Sequence, residues 1–492
     1  MLAEQVRSPW RVAFALAVSI VALRWSGERC EPRTAGELGS GARVLGNCGA
    51  PTYVHAKLVA EGVGVASLER EPAEALFTFL PPETHDDRAR WIRVRACSAG
   101  DAVRLATKLG KDPSVEQAFV EPEVSLARSQ HRRGLDEAVA AIQDDGPSCP
   151  ITTPSFESYQ GYLGPAPHGI DAPAAWRRGH RGGGVWFADV EGGWNAAHED
   201  LPGDRIKHVA GTPIRDPSWR AHGTAVLGEV VGRDNGKGVV GIAPDVERVF
   251  TASIGGISVA NAIDAAARQL RPGDVLLIEL QGGGPRGRYL PMEYWDDNYD
   301  TIRAATKRGV IVIEAAGNGN EDLDHPEYAR KFDRAKRDSG AIMVGAGAPP
   351  RDGFADRERL DFSNYGSRVD VQGWGRKVAT LDYGDLQACD AEERSDASEP
   401  PGDASEQAGC QAPLGYTDRH YTGEFSGTSS ASPIVAGAAV IIEGIARQRG
   451  RVLAPAELRD LLRRTGTPQA GNTRESIGPR PDLARAIEAL DR

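Results

Sequence analysis

Long apolar runs are missing from this 492-residue sequence, and no stretch reads as long enough to span a bilayer. A basic surplus is missing too. The net charge is −11, which argues against a nucleic-acid partner, because a polyanion selects a basic surface. The six cysteines (Cys30, Cys48, Cys97, Cys149, Cys389 and Cys410) contain no Cys-x-x-Cys pair, so that metal and dithiol motif is excluded. Apolar content is ordinary for a globular protein, and the length suits about two or three domains.

At the N-terminus, Arg7 and Arg11 precede the apolar run Val12 to Leu23, a pattern that resembles a signal peptide over residues 1–27. The following Arg24-Trp25-Ser26-Gly27 carries no Ala-x-Ala signal, and a short buried helix is the alternative. An even cysteine count beside an export-like N-terminus points to disulfides. Cys389 and Cys410 flank one insertion and are expected to pair, with Cys30–Cys48 and Cys97–Cys149 as the other bridges.

Residues 28–150 carry no catalytic motif. Trp91 to Ala96 alternates like a strand, Asp101 to Leu109 has a helical period, and Ser114 to Pro122 returns as a strand. Polar linkers follow at Arg128 to Gly134 and Gln143 to Pro154. From residue 151 to 492 strands and helices alternate, which predicts a doubly wound parallel sheet with helices on both faces. Residues 382–422 form an acidic insertion, read as a solvated loop, with a cation site or substrate rim as the alternative.

Four segments bear chemistry. Phe425-Ser426-Gly427-Thr428-Ser429 runs into an apolar helix, so Ser429 sits at a helix start whose free N–H groups favour an oxyanion. Pro433 is read as lying within the first turn. His222-Gly223-Thr224 is read as opening a second, small-residue helix. The strand Gly184 to Asp189 is read as ending in a carboxylate. Ile311 to Ala315 leads into a turn carrying Asn318, whose amide can donate to an oxyanion. A serine hydroxyl needs a base, and the base needs an orienting carboxylate; Ser429, His222 and Asp189 can fill those roles. Taken singly, Asp189 could cap a turn, His222 could be structural and Asn318 could be a turn residue.

Together these segments resemble the subtilisin-like serine peptidases (subtilases), over about Gly161 to the C-terminus. The carrying motifs are Gly427-Thr428-Ser429-Ser430-Ala431-Ser432-Pro433, His222-Gly223-Thr224, Ala315-Ala316-Gly317-Asn318 and His198-Glu199-Asp200-Leu201, in the family's order Asp, His, Ser. The first motif departs, reading Asp189-Val190-Glu191-Gly192-Gly193 where the family has Asp-Ser-Gly or Asp-Thr-Gly. The resemblance implies an α/β, subtilisin-like sheet preceded by a small α+β propeptide domain that serves as folding chaperone and temporary inhibitor. It implies a secreted serine endopeptidase acting on proteins or peptides, with no cofactor in the chemistry. Structural calcium at Asp200 and Asn235 is a further expectation, against which Lys237 stands in the same loop. Gln281, Gly283 and Gly284 match a substrate-binding strand, with Glu279 and Gln281 replacing the family's Asn and Ser. Two other readings stay open: a catalytically silent binding protein, and a maturation protease with one protein substrate.

Overall fold

A computed structural model describes residues 52–60, 73–75, 87–127, 153–350, 353, 355–386 and 417–491. The expected signal segment, the linker between the two domains, the acidic stretch Asp390 to Glu406 and five of the six cysteines lie outside the described residues. Cys97 is disulfide-bonded.

The N-terminal domain is built from β1 (Thr52–Leu58), β2 (Ala73–Ala75), β3 (Trp91–Ala96), α1 (Ala99–Leu109) and β4 (Val115–Val120). Its strands pair antiparallel in the order β2-β3-β1-β4. Ser98 caps α1 by accepting the Asp101 N–H at 3.1 Å. Val54, Ala56, Val94, Leu105 and Leu109 form the core between sheet and helix. The chain then leaves this sheet as β5 (Val124–Leu126).

The large domain follows in sequence as α2 (Ala172–Trp176), β6 (Trp186–Glu191), β7 (Ile206–Ala210), α3 (Pro217–Val231), β8 (Arg248–Ser253), α4 (Val259–Ala267) and β9 (Val275–Ile278). Next come β10 (Leu280–Gly283), β11 (Tyr289–Pro291), α5 (Asp296–Lys307), β12 (Ile311–Ala315), β13 (Ile342–Gly347) and β14 (Val371–Trp374). Last are β15 (Val378–Leu381), β16 (Tyr421–Phe425), α6 (Thr428–Gln448), α7 (Pro455–Thr465) and α8 (Leu483–Leu490). Seven strands form one parallel sheet in the order β14-β13-β12-β9-β6-β8-β7. Central strands such as Val275-Leu276-Leu277-Ile278 are buried throughout, because helices cover both faces. One core joins α3, α6, α7 and α8 to the sheet, and the other joins α4 and α5. The doubly wound α/β sheet expected from the alternation is therefore present.

β6 lies where the strand order reverses, between β8 and β9, so the crevice at its C-terminal end is the natural place for a site. The insertion at 382–422 is the connection of the antiparallel pair β15 and β16, which already includes Tyr421 and Thr422. Among the described residues one helix, α6, is by length and composition apolar enough to cross a membrane, although no stretch of the sequence reads as long enough. Its apolar stretch is buried inside the domain up to Ala446, with only Arg447 and Gln448 reaching solvent, and that burial is why its composition is so apolar.

The N-terminal sheet meets α4 and α5 through an apolar contact of Trp91 with Ala260 and through ion pairs. His55 Nδ1 lies 2.8 Å from Asp297 Oδ2, Lys57 Nζ lies 2.9 Å from Asp300 Oδ2, and Arg88 pairs with Asp264. Burial opposes a charge on His55, but Asp297 and Glu121 outweigh it and raise its pKa to about 9.

Candidate active site

β6 continues two residues past Asp189, and the chain turns only at Gly192-Gly193. Asp189 and Glu191 share a face of the strand, since side chains alternate with period 2. Glu191, being nearer the strand's end, is the one that meets α3. His222 Nδ1 lies 2.8 Å from Glu191 Oε2, and the Gly192 N–H donates to Glu191 Oε1 at 2.9 Å. Asp189 instead accepts the Trp194 indole N–H at 2.6 Å. The expectation that Asp189 partners His222 is therefore corrected to Glu191. Burial lifts both carboxyls well above the usual range; Glu191 adds to the effect on Asp189, while the Gly192 N–H works against it at Glu191.

His222 does not open its helix. α3 starts at Pro217, with Asp216 capping the Ser218 N–H at 2.8 Å, so the histidine stands in the second turn. Asp216-Pro217 was the available signal, a capping residue before proline at the first helical position. Gly223 permits the approach of helix to strand end: a Cβ there would sit 2.3 Å from the Gly193 carbonyl oxygen. The Thr224 hydroxyl donates to the Arg220 carbonyl at 2.6 Å and accepts the Asn195 N–H at 2.9 Å, tying the loop after β6 to α3. The Phe425 ring packs edge-on against His222 at 5.3 Å.

Ser429 is the second residue of α6, as the motif predicted. Gly427 caps that helix at φ 120°, a conformation that favours glycine. Pro433 lies in the second turn rather than the first, six residues in, and so leaves the Ser429 carbonyl without its usual i+4 donor. Ser429 Oγ makes no well-formed hydrogen bond among the described residues, although it stands near enough to Glu279 to favour that carboxylate.

Asn318 is oriented by its oxygen. Oδ1 accepts from the Thr428 N–H at 2.9 Å and from the Thr428 hydroxyl at 3.0 Å. Of the two polar atoms of the amide only the oxygen can accept a backbone N–H, so Nδ2 faces the other way. That nitrogen is buried with no partner among the described residues. The turn is held by Asn364, which donates to the Ala316 carbonyl at 2.7 Å and accepts the Gly319 N–H at 3.0 Å. Asn364 belongs to the site's support and has no local signature in the sequence, while Thr428 stands in the Gly-Thr-Ser motif but its hold on Asn318 could not be read there.

β10 is the edge on which β5 lies, antiparallel, with Leu280 opposite Leu126, Gln281 opposite Ser125 and Gly282 opposite Val124. The Gly283 N–H donates to the Glu123 carbonyl at 3.2 Å. Gly284 does not join this pairing; its N–H closes the turn to β11 on Arg288 at 2.8 Å. Beyond β5, the Ala127 carbonyl accepts the Ser429 N–H at 3.1 Å.

Behind the site lie two further buried carboxyls. Glu279 accepts from the Ser432 hydroxyl at 2.7 Å, and Glu229, on the His222 helix, has no partner among the described residues. Burial raises the pKa of both, reinforced at Glu279 by Asp189 and Glu191, and at Glu229 by Glu279. The sign follows from linkage. A carboxyl that keeps its proton when folded and loses it when unfolded makes stability fall as pH rises above the unfolded pKa. Glu229→Gln is therefore expected to gain melting temperature over the parent as pH rises from the unfolded value of about 4.3, on the order of 2–4 °C per pH unit until the folded carboxyl ionises. Thermal melts of the two proteins across that range check it; a pH-independent difference contradicts it.

Asp200 and Asn235 do not fit a calcium site. They face each other, Asn235 Nδ2 donating to Asp200 Oδ1 at 2.8 Å, while Asp200 Oδ2 accepts the Val239 N–H at 2.9 Å. The Asn235 oxygen accepts the Lys237 N–H at 3.2 Å, and the Lys237 ammonium pairs with Glu199 at 2.6 Å. Donors already fill the oxygens a cation would take. Burial lifts Asp200 to about 6. Among the described residues no group of three or more acidic, His or Cys side chains could hold a metal.

Residues 194–478, more than half of the chain, match the profile of the subtilase family (Peptidase_S8), beginning just after the Glu191 segment. An alkaline protease of Alkalihalobacillus alcalophilus is 26% identical over 343 residues, spanning 68% of this chain and 70% of the relative. The major intracellular serine protease of Bacillus subtilis is 25% identical over 228 residues, 42% of this chain and 63% of the relative. Among solved structures, fervidolysin of Fervidobacterium pennivorans, described as a keratinolytic enzyme related to subtilisin, aligns with TM-score 0.52 at 18% identity. That alignment covers 92% of this chain and 62% of fervidolysin.

Proposed function

We propose, on the premise that this chain belongs to the subtilase family and is a serine endopeptidase, that Ser429, His222 and Glu191 form its catalytic triad. Ser429 attacks the scissile carbonyl, and His222 takes the proton and returns it to the leaving amine. Glu191 holds the ring through Nδ1. Once His222 is charged, the buried carboxylate stabilises it in a site where Coulomb attraction is weakly screened. The Ser429 N–H and Asn318 Nδ2 receive the oxyanion. The single observation that carries this reading is the Ala127 carbonyl seated on the Ser429 N–H, as a scissile carbonyl would be.

The N-terminal domain acts as the propeptide. Its β5 tail fills the cleft by adding a strand to β10, which excludes other peptides until it leaves. Export is supported by the basic-then-apolar N-terminus and by the disulfide at Cys97, which requires an oxidising compartment. Substrates are proteins or peptides.

The test is labelling with a fluorophosphonate probe after processing, followed by peptide mapping. A label on Ser429 with hydrolysis of casein supports the reading. Absence of both overturns it.

A further inference from the structure

Deepening that reading, we propose that the chain cuts itself between Ala127 and Arg128, and that Gln281 restricts the residue before the cut to a small side chain. The bond is identified by the register. Leu126 lies opposite Leu280, and the next carbonyl, that of Ala127, rests on the nucleophile's own N–H at 3.1 Å. Asn318 Nδ2 is a buried donor that has yet to be used. Attack by Ser429 Oγ on the Ala127 carbonyl carbon breaks the bond to the Arg128 nitrogen. The serine proton passes through His222 to that nitrogen. Water then releases the Ala127 carboxylate and restores the Ser429 hydroxyl.

Gln281 sets the size limit. Its Nε2 donates to the Leu126 carbonyl at 2.6 Å and to the Ser125 hydroxyl at 3.3 Å, and its Oε1 accepts the Asn318 N–H at 2.7 Å. The amide thus bridges the bound strand and the turn that carries the oxyanion donor. Gln281 and Ala127 are both buried. Ser125 and Ala127 are two apart on an extended strand, so they project to one face, and Gln281 occupies that face beside Ser125. A side chain larger than methyl at position 127 would have to displace an amide with three hydrogen bonds, one of them to the backbone of Asn318. A serine at 281, the family's usual residue, is too short to make that bridge.

The experiment uses the full chain, exported and sampled early. Mass analysis is expected to find a released fragment ending at Ala127, and Ser429→Ala is expected to stay joined at that bond. Ala127→Phe should slow the cut, and adding Gln281→Ser should restore it. On matched peptides ending Val-Ser-Leu-Ala or Val-Ser-Leu-Phe before the cut, the processed parent should prefer Ala by about 100-fold in kcat/KM. Gln281→Ser should narrow that to within about tenfold by gaining on Phe. A fragment ending elsewhere, a parent indifferent to Phe, or a variant that keeps the Ala preference overturns the proposal. If casein is cleaved while any of these occurs, only this proposal fails. If neither casein nor either peptide is cleaved, the endopeptidase mechanism itself fails with it.

Discussion

Glu191→Gln is expected to lower kcat by about 10⁴-fold while Asp189→Asn changes it by less than about tenfold. The contrast rests on two hydrogen bonds. Glu191 Oε2 faces His222 Nδ1 at 2.8 Å, and a glutamine there can turn its NH₂ toward the ring and favour the wrong tautomer. It also removes the charge that stabilises the imidazolium. Asp189 serves Trp194 at 2.6 Å, and an asparagine oxygen accepts that indole N–H as well. Single-turnover rates on a chromogenic peptide, with both variants checked for intact melting, decide the matter. Equal losses in both variants, or a larger loss at Asp189, would return the role to the aspartate.

Asn318→Ala should reduce kcat by about 10²–10³-fold with little change in KM. Its Nδ2 is buried and unbonded among the described residues, so it is spent only on charge that develops during reaction. Deleting it removes transition-state binding and leaves the strand pairing on β10, where the substrate is proposed to lie, untouched. A rise in KM with kcat preserved would instead assign Asn318 to ground-state binding.

The fold and most of the site were legible for reasons that can be named. Trp91 to Ala96 alternates and is β3, and the buried apolar run before Gly317-Asn318 is β12. Ser429 was readable because a small-residue turn before a long apolar segment has few other uses. The histidine's partner was misread because β6 presents two acids on one face. The signal that could have separated them was Gly192-Gly193 directly after Glu191: the turn follows the glutamate, not the aspartate. The calcium expectation turns on a related point. Asp200 and Asn235 are suitable oxygens by type, but which of their atoms face inward depends on Val239 and Lys237. The role of Gln281 was beyond sequence altogether, since it needs three partners from separate segments.

The N-terminal domain sets His55, Lys57 and Arg88 against aspartates of α4 and α5, far along the chain from Ala127. Severing one peptide bond leaves every one of those contacts in place. On the proposed reading, each molecule synthesised therefore delivers one inhibitor with each catalytic domain, already docked. Hydrolytic output then becomes a question of stoichiometry: it is set by the number of inhibitor copies removed, not by the number of enzymes made.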